Sequence, residues 1–268
     1  LSLADFVVTE AGFGADLGAE KFMHIKGYYG NLKPDAYVLV ATIRALRYHG
    51  GAKKGEYEKP NLAAVEKGIE NLKKHIENGF KWQLKPIVAI NHFATDSEEE
   101  INFVKAECEK LGVKAILADE FTMGGEGMKA LAEEVASCAF NCGNNFKPLY
   151  SVEDSVEHKI ETIAKEVYGA DSAVFSQKAK NQLKSIYELG LDKLPICMAK
   201  TQKSLSDDEK KIGRPTGFKV TVREFEFAAG AGFIIPILGD MMRMPGLPSI
   251  PAAEGMNIDK DGVITGLS

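Results

Sequence analysis

The stretch Thr9–Phe22, TEAGFGADLGAEKF, places three glycines, Gly12, Gly14 and Gly18, directly behind Ala4–Thr9, ADFVVT, a run of β-branched and aromatic residues that reads as a short buried strand. A strand that passes through a glycine loop into a helix lets the backbone approach a phosphate or another close ligand and aims free N–H groups at it. Asp16 lies between the second and third glycines. The spacing G-x-G-x-x-x-G is one residue longer than the dinucleotide fingerprint, and no acidic partner follows about twenty residues on at the end of a second strand. A tight turn that needs small residues for helix–strand packing fits the pattern equally well.

Outward from this stretch, strand-like and helix-like segments alternate, which predicts an α/β fold of mostly parallel sheets with flanking helices. Asp35–Ala41 is a strand, followed by a basic segment with Arg44, Arg47 and His49. Gly50–Pro60 mimics a P-loop only in its glycine separation, because Glu56 and Tyr57 stand where Lys and Ser/Thr must meet phosphate and Mg²⁺. Leu62–Asn78 has helical periodicity, Pro86–Asn91 is a strand, and Ser97 with Glu100 forms a capping-box pattern that opens a helix through Leu111. Further strands are predicted at Lys114–Ala118, Pro148–Tyr150, Leu194–Ala199, Gly217–Phe227 and Gly232–Leu238, with helices at Gly127–Cys142, Ser155–Tyr168 and Gln177–Leu189. The Asp207–Glu209 run reads as a helix start, and Met244–Pro251 as a fixed Pro/Gly-rich connection.

A chain of 268 residues with 45% hydrophobic and 26% charged residues has the composition of a globular protein with a substantial core. The net charge of −5 argues against a nucleic-acid coat, and no apolar run reaches membrane-spanning length. Cys108, Cys138, Cys142 and Cys197 complete no metal set and read as reduced thiols of a cytoplasmic protein. The first residue is Leu1 rather than methionine, which leaves open a removed leader or a longer polypeptide.

In such a sheet, function gathers on loops that leave strand C-termini. Phe93 follows PIVAIN and Phe121 follows AILAD, so their rings leave consecutive strands about 5 Å apart, a spacing that can pinch a flat heterocycle or simply cap the core. Lys200 after LPICMA and Arg214 beyond it can neutralise a phosphate or carboxylate, or serve as surface charges. Trp82 lies outside these loops and reads as a packing residue.

TEAGFGADLGAEKF (residues 9–22), VATIRALRYHGG (40–51), KTQKSLSDD (200–208), GRPTGFKVTVRE (213–224) and AGAGFIIPILGDMMRMPGLP (229–248) resemble, in order, formate–tetrahydrofolate ligase, also called 10-formyltetrahydrofolate synthetase. The resemblance runs through the closing PAAEGMNIDKDGVITGL and covers essentially the whole chain. It implies that ATP phosphorylates formate to formyl phosphate and that N10 of tetrahydrofolate then takes the formyl group, releasing ADP and phosphate. It also implies Mg²⁺ with the nucleotide, activation by a monovalent cation (K⁺ or NH₄⁺), and a homotetramer in the bacterial enzyme. The family's pterin lies between two aromatics, matched here by Phe93 and Phe121. Gly12, Gly14, Asp16 and Gly18, with Lys200, Arg214, Pro215, Thr216 and Gly217, match its nucleotide side; the resemblance assigns no catalytic residue.

Departures accompany the match: Phe121 stands where many bacterial members carry Trp, Ala94 where many carry Pro, and Lys203 where Tyr is usual. The family's P-loop motif, G-x-x-x-x-G-K-[ST], occurs nowhere in residues 1–268. The resemblance therefore implies a C-terminal half of a P-loop NTPase-like parent fold with additional α/β domains. Residues 1–78 would end the large nucleotide-binding domain, 79–199 would form the domain with the folate loops, and 200–268 a small C-terminal domain. Such a half would expose a sheet edge and be inactive alone. The alternatives are a non-catalytic folate- or nucleotide-binding subunit that works with a separate P-loop chain, and a truncated remnant without its own role.

Overall fold

The computed structural model describes residues 1–141, 143, 145–239 and 250–266. The strand expected at Ala4–Thr9 does not form: residues 1–13 run exposed and irregular, with the Phe6 ring edge-on to Phe140 at 5.5 Å. β-propensity needs a neighbouring strand to take the ladder bonds, and none pairs here among the described residues. The glycine loop therefore follows an extended arm. It leads into α1 (Gly18–Lys21), a π-helical turn at Phe22–Lys26 and α2 (Gly27–Gly30). A Cβ on Gly18 would collide with the Gly12 carbonyl, so this glycine is required for close packing of the loop on itself.

β1 (Tyr37–Ala41) runs into α3 (Ile43–His49), capped by the Thr42 hydroxyl, and then α4 (Leu62–Lys81), capped by Asn61. β2 (Pro86–Asn91), α5 (Glu98–Lys110), β3 (Ala115–Ala118), α6 (Glu120–Met123) and α7 (Gly125–Asn141) follow. The three strands form a parallel sheet in the order β1-β2-β3, with Ala89 opposite Val40 on one side and Ile116 on the other. The central strand β2 is buried on both faces, as a covered parallel strand must be. Val88 and Ile90 join Ile69, Leu72 and Val104 in the main core, while Ile87 and Ala89 meet Leu131 and Cys138 of α7. Each such fully buried aliphatic side chain contributes about 1.5–3 kcal/mol relative to exposure. On its outer edge β1 has no strand neighbour among the described residues, and Val40 is exposed there.

Beyond this sheet lie α8 (Val156–Thr162), a π-helical extension at Ile163–Tyr168, β4 (Ser172–Phe175) and α9 (Gln177–Glu188). Then come β5 (Lys219–Ala228), a 3₁₀ turn at Ala229–Ala231 and β6 (Phe233–Leu238), with a small hairpin of β7 (Asn257–Ile258) and β8 (Ile264–Thr265) near the end. β4 pairs parallel with β5, and β5 antiparallel with β6. The expected strand at Leu194–Ala199 lies along the free edge of β6 through isolated parallel bridges, Ile196 to Ile234 and Ala199 to Ile237. No strand forms at Pro148–Tyr150; there Tyr150 stacks on His24 at 4.6 Å and the Leu149 N–H donates to His24 Nε2 at 3.0 Å. The π-helical carbonyls near Ile163–Tyr168 are met by α4, whose Lys74 and Lys81 donate to Glu166 O at 2.6 and 2.9 Å and whose Asn78 donates to Val167 O at 3.0 Å.

The division at 78/79 and 199/200 does not follow these sheets. β1 and β2 share one sheet across the first boundary, and β4 and β5 share another across the second. One buried cluster contains Leu39, Val88, Ile160 and Val222 together, so a single core joins both sheets. Trp82 is fully buried in it, as expected of a packing residue. Cys142 and most of the expected connection Met244–Pro251 lie outside the described residues.

Candidate functional site

The loops after β2 and β3 leave adjacent parallel strands, with Asn91 opposite Ala118. The His92 N–H continues the ladder to Ala118 O at 3.0 Å, and its Nδ1 lies 3.5 Å from Asp119 Oδ2. Asp119 in turn caps α6, accepting from the Thr122 N–H at 3.3 Å, and α6 carries Phe121. Gly124 then takes φ 58° and ψ −138°, a conformation essentially reserved for glycine, and turns the chain into α7. The Phe93 backbone is fixed by reciprocal bonds, Phe93 N–H to Asp96 Oδ2 at 3.0 Å and Asp96 N–H to Phe93 O at 2.9 Å. Both rings nevertheless face solvent: Phe93 is 41% and Phe121 94% exposed. Large aromatic faces held in water by an ordered backbone are costly unless something covers them.

Behind this pair, α3 reaches the loop from inside. Arg47 donates through Nε and Nη2 to Glu100 at 2.8 and 2.6 Å, and also to Thr95 O at 3.1 Å and Tyr57 O at 2.6 Å. Glu100 completes the capping box with Ser97 and takes the Asn61 N–H at 2.8 Å. Burial pushes the Glu100 carboxyl up, and these donors more than offset it, led by Arg47, so the group sits at about 2 instead of 4.5. Asp96, with one carboxylate oxygen 3.6 Å from Arg47 Nη2 and no hydrogen bond to it, is raised by burial. Sequence reading identified Ser97 and Glu100 as a helix start and Arg47 only as part of a basic segment; their joint grip on the Phe93 loop has no local signal.

The structure also joins the nucleotide-side candidates. Asp16 and Lys200, both buried, form an ion pair at 2.6 Å. The Lys200 ammonium also donates to Thr201 O at 3.1 Å and to Ser204 O, and it lies over the Tyr168 ring at 4.9 Å. Burial, the largest single influence, raises the Asp16 carboxyl, and the charge and hydrogen bond of Lys200 together with His75 and Lys21 more than offset it, holding the group below the usual carboxylate range. Lys200 is thus committed to protein partners rather than free as a surface charge. In the rest of KTQKSLSDD, three hydroxyl side chains cap amides two residues on: Thr201 that of Lys203, Ser204 that of Ser206, and Ser206 that of Asp208, at 3.3, 2.9 and 3.1 Å. No helix opens at Asp207–Glu209. Instead Asp207 Oδ2 accepts from the Thr221 N–H of β5 at 2.9 Å, which uses the acid as a strand tie.

The GRPTG segment sits on α3 and α4. The Gly213 N–H donates to His49 Nδ1 at 3.1 Å, and its carbonyl accepts from Asn71 at 2.8 Å. Arg214 makes a two-pronged bond to Glu77, 2.7 Å on each arm, while Thr216 and Gly217 remain exposed and Pro215 half-buried. Burial holds the His49 ring neutral, its pKa down to about 4, which suits its role as acceptor. Arg47 and His49, two residues apart on α3, therefore anchor the aromatic loop and the GRPTG loop respectively. Across the whole of residues 1–268, the chain matches a family model described as formate–tetrahydrofolate ligase.

Proposed function

The chain belongs to the formate–tetrahydrofolate ligase family, and from that premise we propose that it forms the folate-binding part of an ATP-dependent ligase that transfers an activated formyl group to N10 of tetrahydrofolate. The observation that supports this reading best is the pair Phe93 and Phe121, two exposed rings on adjacent strand ends whose backbones are tied by the His92–Asp119 contact and the Asp119 cap. A pterin is flat with polar edges, so two aromatic faces supply area while loop backbone groups meet its edges. The glycine loop Gly12–Gly18, with Asp16 and Lys200 beneath it, and the Arg214–Gly217 segment form the nucleotide side. Formyl phosphate arises there from ATP and formate, and N10 attacks the formyl carbon as phosphate leaves. For this chemistry the protein chiefly positions reactants and stabilises charge.

The described residues bring no three carboxylate, imidazole or thiol groups together as a metal set, and the Asp16 carboxylate is taken by Lys200. An Mg²⁺ would arrive on the ATP phosphates, which with water supply most of its ligands. A monovalent cation (K⁺ or NH₄⁺), a cytoplasmic location and a homotetramer complete the proposal. Residues 1–268 contain no G-x-x-x-x-G-K-[ST], so turnover requires a P-loop portion, in the same polypeptide or as a separate chain.

Two measurements test this. The chain alone is expected to bind tetrahydrofolate in equilibrium dialysis yet form no 10-formyltetrahydrofolate from ATP and formate; turnover by the chain alone would refute the P-loop requirement. Phe121→Trp, which enlarges one stacking face, is expected to tighten tetrahydrofolate about two- to tenfold. Equal affinities for parent and Phe121→Trp would count against stacking at this position.

A further inference from the structure

We infer that Arg47 is a positioning residue for the His92–Asp96 loop, holding the Phe93 backbone so that its ring is presented ready for a flat heterocycle. The inference rests on the folate reading for the identity of that heterocycle. Arg47 is completely buried, and its guanidinium is used up on fixed oxygens: both carboxylate oxygens of Glu100, Thr95 O and Tyr57 O. Only a planar fork of five donors serves so many acceptors at once, which a lysine ammonium cannot reproduce. Glu100 passes the restraint on, since it accepts from Ser97 N–H at 3.0 Å and Ser97 Oγ at 2.7 Å, immediately after the loop. The loop's other end is fastened by His92 N–H to Ala118 O. Phe93 sits between these anchors with an immobilised backbone and an open ring.

A buried charge network is a poor choice for stability alone, because well-packed apolar side chains of similar volume do as well. Its distinctive product here is a rigid loop. Ala94, where proline is common in the family the chain resembles, cannot stiffen the loop itself. A loop ordered before binding loses less entropy when the ligand arrives.

The test is Arg47→Lys, which keeps the charge beside Glu100 but loses the fork. Amide exchange at Phe93 and Asp96 is expected to quicken about tenfold, with the Gly124 amide of the neighbouring loop unchanged. Tetrahydrofolate affinity is expected to fall about tenfold while Mg·ATP affinity is retained. Adding Ala94→Pro should recover most of the folate affinity without recovering the melting temperature, a rescue that a merely structural Arg47 would not show. If Arg47→Lys does not fold, Arg47→Met/Glu100→Gln, which removes the fork and both charges of the pair while Gln keeps the helix cap, carries the same expectations. Unchanged exchange at Phe93 and Asp96, or equal losses for both ligands, overturns the inference. A parent chain that binds no tetrahydrofolate defeats the folate reading instead, and the exchange rates alone then decide the part played by Arg47.

Discussion

Replacing Lys200 with methionine is expected to cost roughly 3–5 kcal/mol of stability at pH 7, because it strands the Asp16 carboxylate in the interior. Lys200 is 2% exposed, and its ammonium is the closest cation to Asp16 at 2.6 Å. The pH dependence carries a second signature. In the parent protein the Asp16 carboxyl lies below its ordinary 3.8, so its stabilisation is present above that value and is lost as the pH falls through the lowered one. In Lys200→Met, burial acts largely unopposed and raises the carboxyl, so the sign reverses and the variant loses stability as pH rises from about 4 to 7. Urea unfolding of both proteins at pH 5 and pH 7 measures this directly. A variant within 1 kcal/mol of the parent at both pH values would mean that the pair is solvated. The double change Asp16→Leu/Lys200→Met removes both charges and should restore most of the loss. If that restored protein binds Mg·ATP more weakly than the parent, the pair serves the nucleotide side as well as the fold.

The second large effect is expected at Glu100. Its carboxyl is held at about 2 against an ordinary 4.5, a difference equivalent to about 3 kcal/mol of stability at neutral pH. The sign follows from the lowering: the contribution is complete above 4.5 and disappears as the pH falls from there through about 2. Glu100→Gln removes this pH-dependent part and leaves the Arg47 guanidinium buried with Asp96, at 3.6 Å, as its remaining acid. The variant should therefore be roughly 3–5 kcal/mol weaker at pH 7, with the gap to the parent narrowing steadily towards pH 2. Parallel unfolding curves from pH 7 to pH 3 would show that the carboxyl is not lowered in solution.

What could be read from the sequence was local. The Ser97–Glu100 capping box, the PIVAIN strand and the 3.6-residue apolar stripe of α4 depend on residues a few positions apart, and all appear as expected. The adjacent placement of the Phe93 and Phe121 loops followed from parallel-sheet geometry. What escaped depends on partners distant in the chain. ADFVVT has every local mark of a strand but no neighbour to pair with among the described residues, and Ser172–Phe175, with only Val174 and Phe175 as such marks, becomes β4 because β5 offers it a ladder. Glu100 is legible as a cap, yet its bond to Arg47 spans 53 positions. Asp207–Glu209 shows the limit of charge patterning, since a strand amide won the carboxylate that a helix start was expected to use.

The mixed sheet has a consequence for how the chain reaches its native state. β5 and β6 are joined by the short turn at Ala229–Ala231, so their hairpin closes on the microsecond timescale typical of such units. Its two edges are then completed by segments from far upstream, β4 against β5 and Pro195–Ala199 against β6, both in parallel register. Each docking pays a long loop-closure entropy before any ladder bond rewards it. The hairpin is thus an early template with unsatisfied flanks. Changes in the hairpin should slow refolding, whereas changes in Pro195–Ala199 should mainly hasten unfolding.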